Sequence, residues 1–200
     1  KVSAELFREG LLNPDTSFTL TFADQSQFIF CPLVGAPWQG RIASIVDRNG
    51  VALTCTYTPG GKLDQVTSQF GQSLTFDYDV AGNLSTVTDQ TTRFLSLSYF
   101  AAGEPGGNEG DLKSVSCPTI PGETPVRGPV TYSYSTGSAD PQLNSNLLTC
   151  TDGAGRLVAG FSYSTVPAGS AAYDSCVSND RFSTDPTEPV MHFSYEYLTN

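Results

Sequence analysis

The phrases Gly40-Arg41-Ile42, Gly61-Lys62-Leu63 and Gly82-Asn83-Leu84 stand 21 residues apart, and Tyr57, Tyr78 and Tyr99 keep the same spacing. Stacked by this period, the chain reads GRIASIVDRNGVALTCTYTPG (40–60), GKLDQVTSQFGQSLTFDYDVA (61–81) and GNLSTVTDQTTRFLSLSYFAA (82–102). A repeat of this length takes precedence over every other signal, because each unit is one supersecondary element stacked on the next. Three columns are apolar in all three lines: Ile42/Leu63/Leu84, Ile45/Val66/Val87 and Leu53/Leu74/Leu95. A fourth column holds Cys55, Phe76 and Leu97, and the tyrosines form the fifth.

The second half of each line alternates. Leu53, Cys55 and Tyr57 oppose Thr54 and Thr56; Leu74, Phe76 and Tyr78 oppose Thr75 and Asp77; Leu95, Leu97 and Tyr99 oppose Ser96 and Ser98. A period of two marks a half-buried β-strand, and Val, Ile, Thr and aromatic residues suit that setting. Turn segments follow the first half of each line: Asp47-Arg48-Asn49-Gly50, Ser68-Gln69-Phe70-Gly71 and Asp89-Gln90-Thr91-Thr92. Asn49-Gly50 is the signal of a type I′ turn, which needs positive φ at both residues. Each repeat therefore reads as one antiparallel hairpin, near 40–57, 61–78 and 82–99. The glycines at 40, 61 and 82 turn the chain into the next one. Leu74, Phe76, Val66 and Leu84 are expected to be more buried than Thr75, Asp77 and Gln65.

Tyr78-Asp79-Val80-Ala81-Gly82-Asn83-Leu84, followed by Val87-Thr88-Asp89, resembles the YD repeat of RHS proteins. That motif runs roughly Tyr-Asp-x-x-Gly-Arg-Leu, then a short polar strand ending in Asp. Asn83 replaces the Arg here, and Thr58 and Phe100 stand where the neighbouring repeats would carry the Asp. The resemblance implies an all-β fold of consecutive antiparallel hairpins, links of one long sheet that spirals into a hollow shell. Bacterial polymorphic toxins, toxin-complex shells, wall-associated proteins and the animal teneurins belong to that family. Cargo enclosure, usually of a C-terminal toxin, is what it implies for function.

Composition agrees with an all-β chain. Of 200 residues, 19 are Gly and 13 Pro, 38% are hydrophobic and only 15% are charged. That is too apolar for a disordered chain. The net charge of −10, without an adjacent Lys/Arg pair, is the wrong sign for nucleic acid. No apolar run approaches the length of a membrane span. The chain opens on Lys1 and ends close after the strand around Phe193, so we expect a piece of a longer secreted or cell-surface protein.

Outside the repeats, residues 1–38 form a lead-in. Ala4 to Leu12 reads as a helical turn or loop, and Phe18–Phe22 with Gln27–Cys31 as a hairpin. Trp38 lies in the loop that follows. Residues 39–100 hold the three regular repeats. Residues 101–200 hold two more, interrupted by insertions at Ala101–Gly110, Pro118–Gly128, Ser135–Ser145 and Thr165–Pro189, and a final strand at Val190–Tyr197. Those loops are the places to look for partner binding. The distance from Asp152 to Tyr163 exceeds that from Asp47 to Tyr57 by one residue. A bulge or a longer turn absorbs it.

No catalytic, cofactor-binding or metal-binding residue is assigned. The single histidine, His192, sits on the polar parity of its strand. Asp15-Thr16-Ser17 is too short a match to an aspartic-protease motif. Asp77 and Asp79 fail the calcium-loop pattern, because Ala81 and Thr88 stand where ligands belong. Asp79 reads better as a turn residue bonding its own backbone. Asp185-Pro186 lacks the rest of the self-cleavage signature found in some RHS proteins. Asn83-Leu84-Ser85 is a glycosylation sequon inside a tight repeat. Cys31, Cys55, Cys117, Cys150 and Cys176 are odd in number and lack C-x-x-C spacing, which disfavours zinc. Cys55 and Cys150 fall in apolar columns, where free thiols act as small hydrophobes. One or two disulfides in an oxidising compartment are the other reading, with no pairing favoured.

The sequence thus points to a non-enzymatic structural segment of a YD-repeat shell or scaffold, without cofactors. Its partners would be the rest of its chain, copies of itself, or an enclosed toxin. The alternative is an extracellular adhesive or filament-forming repeat protein that binds surface glycan or neighbouring subunits. Its open sheet edges and uncapped columns predict association rather than a stable monomer.

Overall fold

The computed structural model describes residues 7–12, 16–119, 122, 127–164, 175–180 and 191–194, with side chains for 16–119, 122, 127–141 and 143–163. The chain divides into two compact units, Lys1–Phe94 and Leu95–Asn200. The first holds β1 (Phe7–Leu12), β2 (Phe18–Phe22), β3 (Gln27–Phe30), β4 (Ile42–Val46), β5 (Ala52–Tyr57), β6 (Leu63–Ser68), β7 (Ser73–Tyr78) and β8 (Leu84–Asp89). Each strand pairs antiparallel with its sequence neighbours. The second unit begins inside β9 (Phe94–Tyr99). It continues through β10 (Leu112–Ser116), β11 (Val130–Tyr134), β12 (Leu147–Thr151), β13 (Leu157–Ser164), β14 (Ser175–Asp180) and β15 (Met191–Ser194), again antiparallel in chain order. The only helix among the described residues is a 3₁₀ turn at Pro141–Leu143.

Two expected irregular stretches contain strands. Phe7–Leu12 is β1, paired with β2 from Leu12↔Phe18 to Phe7↔Phe22, rather than a helical turn or loop. Backbone pairing with an established hairpin overrides the weak local preference of such a segment. Likewise Ser175–Asp180, inside the expected loop 165–189, pairs with β13 and β15. The expected final strand is described only over Met191–Ser194.

The register explains a spacing that alternation alone does not. Leu63 and Val66 are three residues apart and would face opposite sides of a regular strand. Tyr57 pairs with Leu63 while Thr56 pairs with Gln65, so Asp64 is an extra residue in a bulge. The bulge returns Leu63 to the face of Val66. The same offset recurs at Ala43 in Phe30↔Ile42, Ser85 in Tyr78↔Leu84, Lys113 in Tyr99↔Leu112 and Leu148 in Tyr134↔Leu147. Every one lies where a repeat's last aromatic meets the first apolar residue of the next. The extra residue after Asp152 is a bulge too: Cys150 pairs with Ala159 and Thr151 with Leu157, leaving Val158 over.

The hairpin ends share one closure, and it is not type I′. Asp47 N–H donates to the Val51 carbonyl and Gly50 N–H to the Asp47 carbonyl. Only Gly50 has positive φ, at 83°, while Asn49 does not. This is a type I turn followed by a left-handed residue in a G1 bulge. The same bonds close 22–26, 58–62, 68–72, 79–83, 89–93 and 152–156. The left-handed position falls to glycine in most of these turns, but to Gln25 (φ 72°) and Thr92 (φ 66°) in two. A β-branched residue is strained there. Thr92→Gly is therefore expected to raise stability by about 1 kcal/mol. Urea unfolding would read it, and a loss of stability would contradict the turn assignment.

The apolar columns do line one face, but that face is open. Among the described residues, every substantial strand–strand contact within a unit joins sequence neighbours, and no described strand forms a second layer on the sheet. Leu74 is 43% exposed and Leu53 39%, which corrects the expectation that Leu74 is more buried than Thr75. Phe76 and Asp77 keep the expected order, half-buried against exposed. Among the described residues, only Cys31 and Phe100 form buried apolar positions, and none is fully buried. Both lie at the start of a long inter-repeat loop, 32–40 in one unit and 101–110 in the other.

Candidate functional site

Three structures recur along the sheet: a pinned tyrosine, a capped turn and a hydroxyl-bearing face. Tyr57 Oη donates to the Ile42 carbonyl at 2.6 Å, Tyr78 Oη to Leu63 at 2.9 Å and Tyr163 Oη to Leu147 at 2.8 Å. Each ring reaches across its own hairpin to the carbonyl at the far strand's start. Arg41 lies 5.8 Å from the Tyr57 ring centre and Lys62 4.7 Å from that of Tyr78. Lys62 Nζ also donates to the Gly82 carbonyl at 2.7 Å, tying one inter-repeat turn to the next. The basic residue after the glycine thus sits on its own repeat's tyrosine, a cation–π contact. Tyr78→Phe removes one half-buried hydrogen bond and is expected to cost about 0.5–1.5 kcal/mol. Thermal or urea unfolding measures it.

The turn carboxylates are caps. Asp47 Oδ1 accepts from the Asn49 and Val51 N–H groups, both at 2.8 Å. Asp79 accepts from the Asn83 N–H at 2.8 Å, as expected of a residue bonding its own turn. Asp89 accepts from the Thr91 hydroxyl at 2.7 Å and pairs with Arg93 at 2.6 Å; Asp152 pairs with Arg156 at 2.6 Å. The Thr91 hydroxyl, with Arg93 and two backbone N–H groups, holds the Asp89 carboxyl at about 2. The Val51 N–H lowers Asp47, the Asn83 N–H lowers Asp79 and the Arg156 side chain lowers Asp152. A carboxyl depressed in the folded state stabilises above its unfolded value near 4 and loses that contribution as pH falls through the folded value. The melting temperature is therefore expected to drop between about pH 4 and pH 2, and Asp89→Asn to flatten the drop. A Tm indifferent to pH across that range would contradict the capping role.

The face opposite the apolar columns is a field of hydroxyls. Thr54↔Thr67, Gln65↔Thr75 and Thr75↔Thr88 are paired there in the first unit, with Ser98↔Ser114 and Ser133↔Thr149 in the second. The Ser98 and Ser114 hydroxyls are 2.7 Å apart, those of Ser133 and Thr149 2.5 Å. Asp77, paired with Thr86, is an exposed carboxylate on this face, away from the Asp79 turn.

The remaining singled-out residues are dispersed. His192 is in β15 opposite Val177. Asp185-Pro186 and Asp15 lie outside the described residues; Thr16 has φ 65° and Ser17 is buried. The sequon residue Asn83 donates Nδ2 to Asp79 at 3.3 Å. Cys31, Cys55, Cys117 and Cys150 are free thiols, Cys117 exposed and the others at least half-buried, and Cys176 belongs to β14. Burial pushes the Cys55 thiol up, aided by Cys31 nearby, which disfavours the nucleophilic thiolate. Among the described residues, no three metal-binding side chains converge, and no helix is long and apolar enough to cross a membrane.

Sequence reasoning passed over Phe100. Its ring meets Tyr134 edge-on at 6.3 Å, lies 5.9 Å from Lys113 Nζ, and is covered by Gly106 and Gly107. Lys113 pairs with Glu104, whose other oxygen accepts from the Ala101 N–H at 3.1 Å. The inserted loop keeps the repeat's closure: Phe100 N–H donates to the Asp111 carbonyl and Gly110 N–H to the Phe100 carbonyl. Loop 136–145 is inserted the same way, between Ser135 and Asn146. The signal in the sequence was a Phe in the position of the motif's Asp.

The chain matches no family model and no curated protein sequence. What the fold and its surfaces define is a class: an all-β repeat protein of consecutive antiparallel strands, each unit an open sheet, suited to a structural or scaffold role.

Proposed function

We propose that this chain is a structural, non-catalytic segment of a YD-repeat-like β-scaffold in a large secreted or cell-surface protein, of the kind that encloses a toxin. The observation that carries the reading is that, among the described residues, the strands pack on their sequence neighbours and the short turns of the repeats close with the same bonds. Such a unit extends by addition and gains stability from each neighbour. The resemblance also acquires a physical meaning. In Tyr78-Asp79-x-x-Gly82 the tyrosine pins the hairpin, the aspartate caps the turn, and the glycine supplies its left-handed residue. A basic residue after the glycine, as at Lys62, covers the tyrosine. Electron microscopy of the chain expressed with its natural flanking sequence tests the proposal. A curved, hollow wall of strands is the expected image, and a solid two-layer globule would overturn it.

The adhesive reading draws on one observation. Loops 32–40, 101–110 and 136–145 are all inserted in connections that follow a repeat's last aromatic, Phe30, Tyr99 or Tyr134. A glycan array probed with the chain would favour adhesion if loop deletions abolished binding.

A further inference from the structure

We propose that the open apolar face of the first unit is a docking surface for the same face of a second copy of this chain. The inference deepens the scaffold reading by naming a partner, and its test needs no flanking sequence and no shell. The face is set by the ladder: Phe28↔Ile45, Ile45↔Leu53, Cys55↔Val66, Val66↔Leu74 and Phe76↔Val87 lie in cross-strand pairs on one side. Among the described residues no strand of the unit packs over them, and Leu53 and Leu74, each the second residue of its strand, are 39% and 43% exposed. An uncovered apolar surface of this extent marks an interaction site.

Charge and area select the occupant. The strand centres place no charged side chain on this face. Asp89, opposite Leu74 at the turn end of β8, is paired with Arg93, and Arg41 and Lys62 sit at the edge, engaged with Tyr57 and Tyr78. The charges at its margins are thus already engaged, and the centre of the face offers neither cations to recognise phosphate or acidic glycan nor carboxylates to recognise basic peptide. It matches another apolar sheet face, and an identical copy meets that requirement by symmetry. Two such faces pack about 10 Å apart, with strands within roughly 30° of one another. Strands β2 to β8, at about 4.8 Å spacing and five residues of about 3.3 Å, outline about 34 by 16 Å. Two copies would bury about 1,100 Å² together, enough to clear the roughly 1,000 Å² that a specific interface needs. The pairing runs through the face and leaves the sheet edges free, unlike edge-to-edge association.

Sedimentation velocity of the whole chain from about 1 to about 100 μM tests it. The expected result is a monomer–dimer equilibrium weakened at least about tenfold by Leu53→Asp and by Leu74→Asp. Thr54→Asp and Thr56→Asp, exposed on the hydroxyl face, should leave it unchanged. Far-UV circular dichroism verifies that each variant keeps its strands. Because Leu53 and Leu74 are already partly in solvent, charge there leaves the monomer folded. A chain that stays monomeric throughout overturns the proposal and assigns the face to another partner. Association that survives both leucine substitutions, or that Thr54→Asp abolishes, overturns it as well.

Discussion

Replacing Phe100 by alanine is expected to destabilise the second unit by about 3–5 kcal/mol, the range for deleting a buried aromatic ring. At 6% exposure, Phe100 is the most buried large side chain described, in a fold that otherwise leaves its apolar columns half in solvent. The ring is the surface on which loop 101–110 folds. Gly106 and Gly107 lie against it, Tyr134 meets it edge-on, and the Tyr134 N–H donates to the Gly106 carbonyl at 2.8 Å. Truncation leaves a hole that glycines cannot fill and loosens the Lys113–Glu104 pair above it. Phe94, 54% exposed, supplies the internal comparison: Phe94→Ala should cost under about 1 kcal/mol. Urea unfolding of the two variants compares them directly. Near-equal effects would show that the loop does not depend on the ring. Hydrogen exchange at the Tyr134 amide adds a local readout, since it should quicken in Phe100→Ala before the sheet opens.

Which parts of this architecture the sequence disclosed follows from what each pattern measures. Alternation in Leu74-Thr75-Phe76-Asp77-Tyr78 reports which side chains share a face, and the ladder places them so. It does not report what covers the face. Leu74 was expected to be shielded because apolar columns usually meet a second layer, yet it stands 43% exposed. The spacing of three between Leu63 and Val66 held the bulge at Asp64 in plain view, but only the register distinguishes a bulge from a change of face. Asn49-Gly50 marked the turn correctly and its type wrongly. Asp47 Oδ1 takes two N–H groups, and that cap favours a turn in which only Gly50 is left-handed. Phe7–Leu12 carries no alternation, so its place at the edge of β2 was hidden. The tyrosine column was visible as a period, while its hydroxyl bond to a carbonyl 15 residues earlier is a feature of the folded hairpin alone.

Gly61→Ala is expected to cost about 2–3 kcal/mol, more than alanine at the other repeat glycines of the first unit. Two separate effects act at this position. Its φ is +81°, where an L-residue loses about 1–2 kcal/mol. Gly50 and Gly71 share that conformation at +83° and +85°, but a Cβ at either meets nothing within 4 Å. At Gly61 the added carbon would lie 2.8 Å from the Pro37 carbonyl oxygen and 3.3 Å from its Cβ. Backbone cannot swing away as a side chain can, so overpacking adds about 1 kcal/mol or more. At Gly82 the nearest group is Lys62 Nζ, 2.5 Å away, and that flexible chain can move. The order of destabilisation should therefore be Gly61→Ala, then Gly82→Ala, then Gly50→Ala and Gly71→Ala together. The contact also ties loop 32–40, which begins next to the buried Cys31, to the inter-repeat turn at 58–61. Gly61→Ala should consequently speed the reaction of Cys31 with a thiol reagent, whereas Gly50→Ala should not. Equal losses at Gly61 and Gly50 would mean that the loop does not rest on the turn and that backbone conformation alone sets the cost.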